Sequence, residues 1–136
     1  MASMAAKMFE AYLKTQEINP RVIDENTLAI GWGIEGTSIQ VFFYFDDDDT
    51  HINIRGYDFM KVPSDKYDVM YKALNAVNAK YNFVNFVLNE ENGDVYVKDD
   101  AVIQLDTCAD ECMELMMRMV KIVEDSYPVL MKAMWA

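Results

Sequence analysis

Histidine, cysteine, glycine and proline are scarce in this chain, and long apolar runs are missing altogether. Its 136 residues include one histidine, two cysteines, five glycines and three prolines. Two cysteines are too few for a disulfide-stapled scaffold. Cys108 and Cys112 stand four apart, where a structural zinc site wants four ligands and usually a closer cysteine pair, so they read as buried thiols acting as small hydrophobes, with no disulfide between them. A single histidine, His51, leaves any Ser-His-Asp or Cys-His arrangement dependent on one residue, and nothing around it resembles a nucleophile elbow. The glycines form no phosphate loop: Gly31-Trp32-Gly33 lacks the third glycine and the following helix that dinucleotide binding requires. The longest apolar run, Val41 to Phe45, falls far short of the ~20 residues of a membrane-spanning helix. Lys and Arg number 12 against 23 Asp and Glu, a net charge of −11. Such a chain repels nucleic-acid phosphates and anionic membranes. No nucleic-acid or membrane partner is therefore expected, and neither catalytic residues, metal ligands nor a cofactor can be assigned. The chain reads as a non-enzyme.

What is present is a globular balance, with hydrophobic residues at 52% and charged residues at 26%. No linker, repeat or low-complexity segment interrupts it, so residues 1–136 are expected to form one domain. Met1 to Lys7, followed by Phe9 and Glu10, shows no basic segment leading into an apolar one, which predicts a cytoplasmic, reducing location.

Periodicity supplies the elements. Met8, Phe9, Tyr12 and Leu13 recur at helical spacing from Met4, with Ser3 placed to cap and Asn19-Pro20 as the stop. Thr27 to Trp32, Ile39 to Phe45 and Ile52 to Tyr57 alternate as three strands of an antiparallel meander. Pro63 and Ser64 open a second helix whose stripe is Tyr67, Met70, Tyr71, Leu74, Val77 and Tyr81. Phe83 to Leu88 and Val95 to Ile103 flank an Asn92-Gly93 turn that tolerates positive φ. A last helix begins at Thr107, with Pro128 expected to kink or end it. The fold class is α+β, in the order α-β-β-β-α-β-β-α, with an antiparallel sheet packed by helices.

Several side chains ask for cover. Val41, Phe43 and Phe45 share the core parity, leaving Phe42 and Tyr44 on the far side of the sheet, under another helix or at an interface. The apolar arc of the last helix spreads round to Met113 and Met117, wider than a sheet alone requires, so the terminal helices should contact each other, a second subunit or a partner. Eleven methionines either fill gaps in the core or line an adaptable surface. Trp135, beside the C-terminus, raises the same question. Asp46 to Asp49 invite a Ca²⁺ reading, but adjacent aspartates point apart, and a solvated turn fits better. Asn78, within the apolar stripe of the second helix, needs a structural hydrogen-bond partner, such as a strand-end carbonyl of the next β unit.

Leu74-Asn75-Ala76-Val77-Asn78-Ala79-Lys80-Tyr81, followed by Phe83, Phe86, Leu88, the Asn92-Gly93-Asp94 turn and Val95, resembles the YbjN family, as does the ending with Tyr127-Pro128 and Leu130. That family is similar in fold to the type III secretion chaperones, small acidic proteins that commonly dimerise and hold unfolded stretches of client proteins. The resemblance implies a binding or regulatory role: a homodimeric, chaperone-like or adaptor module taking a protein or peptide client, with Phe42, Tyr44, Met113, Met117 and Trp135 as candidate partner-binding residues. The alternative is a sensory regulator responding to a small ligand.

Overall fold

The computed structural model describes residues 3–136. Helix α1 spans Met4–Thr15, strands β1 to β4 span Arg21–Asp24, Thr27–Ile34, Thr37–Phe45 and His51–Lys61, helix α2 spans Tyr67–Lys80, strands β5 and β6 span Asn85–Leu88 and Asp94–Val102, and helix α3 spans Cys108–Met134. The strands form one antiparallel sheet in the order β1-β2-β3-β4-β6-β5. This is the expected α+β architecture, with one short strand added at the edge.

That added strand, Arg21-Val22-Ile23-Asp24, is exposed at all four positions. Without a buried face it has no alternation to read, and it forms because β2 offers it a ladder. The remaining strands alternate as their sequences dictate, and Ile39, Val41, Phe43, Ile52, Ile54, Val95 and Val97 turn to one face with almost no exposure. All three helices contribute buried side chains to this one cluster: Phe9 and Leu13 from α1, Met70, Leu74 and Val77 from α2, and Met116, Met119 and Val123 from α3. Phe9 meets Phe43 edge to face at 4.9 Å between ring centroids. α3 touches both α1 and α2, so much of its wide apolar arc is spent on helices rather than on the sheet.

Local chemistry sets the ends. Ser3 caps α1 by accepting from the Ala6 amide at 3.0 Å, and Asp49 accepts from the Ser3 hydroxyl at 2.7 Å and the Ala5 amide at 3.0 Å. α1 stops at Thr15, ahead of Asn19-Pro20, because Glu17 takes a left-handed φ of 61° and the Ile18 amide closes back on the Leu13 carbonyl at 2.9 Å. Pro128 neither ends nor interrupts α3. Buried Leu130 and Met134 beyond it hold the last turns against the core. β2 continues through Gly33 to Ile34, with the chain reversing at Gly36, φ 96°. β4 runs to Lys61 through an irregularity between Gly56 and Met60 where Asp58 adopts φ 66°.

Candidate partner-binding surface

With every described helix on one side, the other face of the sheet is open. Phe42 and Tyr44 stand on it, half-buried and 36% exposed respectively. They are not alone. Phe42 stacks on Tyr44 at 6.1 Å and meets Tyr57 edge to face at 5.6 Å, and Tyr57 lies 5.7 Å from Tyr96. The four rings form a stripe running obliquely over β3, β4 and β6. Burial among these rings and the nearby Tyr44 hydroxyl raise the Tyr57 phenol above its ordinary value. Tyr57 and Tyr96 were readable in principle, since each alternates with core residues: Ile52, Ile54 and Gly56 inward on β4, Val95 and Val97 inward on β6. What the sequence could not supply was the register that sets them beside Phe42.

The strand pairings place a second group on the same face. Arg21 pairs with Ala29, Ala29 with Phe42, Phe42 with Arg55, Arg55 with Lys98 and Lys98 with Asn85. Arg21 donates to the Gln40 side-chain carbonyl at 2.7 Å and lies 5.9 Å from the Phe42 centroid. Arg55 donates to Asp100 at 2.9 Å. Beside Tyr57 and Tyr96 the face dips into a hollow of about 300 Å³ that also involves Arg55, Asn89, Asn92 and Asp94.

The other candidates named from the sequence lie elsewhere. Met113 is half-buried against the core and Met117 is 39% exposed, both on α3, hence on the helical layer and away from Phe42 and Tyr44. Trp135, 62% exposed, follows the end of α3. Between α2 and α3 runs a mainly apolar groove of about 190 Å³ that includes Ala73, Ala76, Val77, Tyr81 and Val129. Asn78 donates to the Phe86 carbonyl at 3.0 Å and accepts from the Phe86 amide at 2.7 Å, tying α2 to the start of β5.

The acidic loop is more engaged than a solvated turn. Asp46 accepts from the Thr50 amide at 2.9 Å, the Thr50 hydroxyl at 2.7 Å and the His51 amide at 3.1 Å, and Asp47 accepts from Asn26 at 2.6 Å. Desolvation pushes the Asp46 carboxyl up, but the bonds from Thr50 and His51 outweigh it and bring the carboxyl down to about 2. The tetrad is thus divided among separate donors, and among the described residues no three His, Cys, Asp or Glu side chains gather as a metal-ligand set. Burial drives the Cys108 and Cys112 thiols up, away from the reactive thiolate. No described helix is long and apolar enough to cross a membrane.

Comparison with known proteins gives the family and the fold. The profile of the YbjN family, described as "Putative bacterial sensory transduction regulator", matches residues 5–131. The fold is similar to that of YbjN from E. coli, described as "a putative transcription regulator", with a TM-score of 0.63 at 11% identity over 90% of this chain and 91% of that one. It is also similar to a chain of the ExsC-ExsE complex, with a TM-score of 0.56 at 11% identity over 90% of this chain and 95% of that one. No curated protein matches in sequence.

Proposed function

Because the chain belongs to the YbjN family, we propose that it is a non-catalytic protein-binding module, chaperone-like or adaptor in character, which acts as a homodimer and holds a segment of a client protein on the open face of its sheet. One observation carries this reading: a six-stranded sheet has its helices on one face and a connected stripe of Phe42, Tyr44, Tyr57 and Tyr96 on the other. Rigid aromatic rings with polar tips supply contact area at small entropic cost and are enriched where proteins meet. The likeness in fold to a chain solved as part of the ExsC-ExsE complex supports a partner-holding role. Exposed apolar side chains of the helical layer, Val129 and Trp135 among them, offer the surface for the second copy.

Capture of partners by the tagged protein, with its mass in solution followed by light scattering, tests the proposal. A dimer retaining one or a few specific proteins, lost in Phe42→Ser with Tyr44→Ser while the melting temperature holds, is the expected result. Unchanged capture by that folded variant overturns the surface assignment.

The groove between α2 and α3 favours a second reading, a regulator answering to a small apolar ligand. Ser126, 2% exposed, lies along it with a hydroxyl that has no hydrogen-bond partner among the described residues. A ligand seated there raises the melting temperature in a thermal-shift screen, because it binds only the folded state.

A further inference from the structure

One row of the open face carries a charge pattern opposite to that of the chain. The pairings across all six strands set Arg21, Ala29, Phe42, Arg55, Lys98 and Asn85 in one continuous row. This row holds three cations, one aromatic ring and no carboxylate, in a protein of net charge −11. The adjoining row, Thr27, Tyr44, Asn53 and Asp100, has a carboxylate only at its β6 end, and Asp100 is already engaged by Arg55 at 2.9 Å. Asp24 pairs with Thr27 across a register shift and shares a hollow with Ala6 and Glu10 of α1. On the other side the neighbours Gly31, Gln40 and Tyr57 are uncharged, and Asp94, in the hollow beside Arg55 and Tyr57, is paired with Lys61 at 3.8 Å.

Like charges directly opposite one another on a sheet destabilise it. Arg55 and Lys98 are such a pair. Asp100 relieves Arg55, but Lys98 has no ion pair among the described residues. Arg21 likewise has only the neutral Gln40 amide and the Phe42 ring. These two cations are therefore available to an incoming anion, at opposite ends of a row whose middle is an aromatic surface.

We propose that this row docks an extended acidic segment of a protein partner, with one carboxylate at Arg21, a second at the Arg55–Lys98 pair and an apolar side chain between them on Phe42. The inference rests on the open-face reading above and adds the chemistry of the occupant. At the backbone Arg21 and Lys98 are separated by four strand spacings of about 4.8 Å each, and the Arg21 guanidinium leans inward to the Gln40 amide and the Phe42 ring, so the gap between the two charged groups is shorter by about one spacing, close to 14 Å, which an extended chain at ~3.4 Å per residue spans in about four residues. The recognised pattern is thus two acidic side chains about four residues apart with an apolar one midway. Net acidity sets the long-range field, whereas contact within a Debye length of about 8–10 Å is governed by the local row.

The test is fluorescence anisotropy on the full chain with a labelled extended peptide carrying two glutamates four residues apart and a phenylalanine midway. Its analogue with glutamine for glutamate and a labelled oligothymidine are the comparisons. The glutamate peptide should bind about tenfold tighter than the glutamine peptide at low salt, the worth of two charge-assisted contacts on an exposed surface. That preference should shrink with added salt, vanish in Arg21→Gln with Lys98→Gln, and return in Arg21→Lys with Lys98→Arg. Equal binding of the two peptides, a preference that survives in the glutamine variant, or tighter binding of oligothymidine overturns it. If neither peptide binds while Phe42→Ser with Tyr44→Ser still abolishes partner capture, the open-face reading stands and the acidic occupant is wrong.

Discussion

Asn78 and Asp99 are polar side chains set among the apolar contacts of the helical side, and the fold treats them in opposite ways. Asn78 meets both backbone groups of Phe86, so Asn78→Ala should cost about 1–3 kcal/mol in urea unfolding, because it strands an amide and a carbonyl. Asp99 is 7% exposed, and its Oδ2 has no hydrogen-bond partner among the described residues. Desolvation raises its carboxyl, against the opposing pull of Arg118. A raised folded value means that the folded state binds the proton more tightly than the unfolded chain does. Asp99 therefore stabilises the protonated fold, and that contribution is lost as pH rises from 3.8, the ordinary aspartate value, through the raised one. Asp99→Asn should raise the melting temperature at neutral pH and flatten its pH dependence in that window. Asp46 acts in the other direction and lower down: its stabilisation fades as pH falls from 3.8 toward about 2. The need of Asn78 for a partner was legible, since a polar residue inside an apolar stripe requires one. The isolation of Asp99 was not, because Lys98-Asp99-Asp100 reads as a hydrophilic run until the register turns its middle residue inward.

α1, α2, α3 and most strands were legible because each buries one periodic face. β1 was not, because an edge strand with four exposed residues leaves no periodic trace. Pro128 misled for a related reason: the local rule disfavours a helix there, and the buried contacts of Leu130 and Met134 prevail. Gly56 of β4 marks where the core is tightest. A Cβ there would lie 2.6 Å from both the Ile39 Cδ1 and the Val97 Cγ2 atoms, two side chains with no exposure. Gly56→Ala should therefore destabilise by about 1–3 kcal/mol through overpacking, seen as a lower urea midpoint with an unchanged slope. By contrast Gly33 has open space around its Cβ position, and Gly33→Ala should leave the midpoint nearly unmoved.

Taken together, the elements make a two-layer molecule with one layer bare. Half of the aromatic stripe, Phe42 and Tyr44, was legible from strand parity. Tyr57, Tyr96 and the cationic row were not brought together by any spacing along the chain, because they converge only through pairings between β1, β2, β3, β4 and β6. The same assembly sets Met113 and Met117 on the helical layer, so no single flat partner covers both groups. On the proposed division the client takes the sheet and the second copy takes the helices. Site-specific photo-crosslinking tests that division most directly, with a benzoylphenylalanine replacing Tyr44 in one variant and Lys132 of α3 in another. Client adducts are expected from position 44 and, at most, adducts to a second copy of the chain from position 132. Client adducts from position 132 with none from position 44 would reverse the assignment and remove the sheet face as the client's seat.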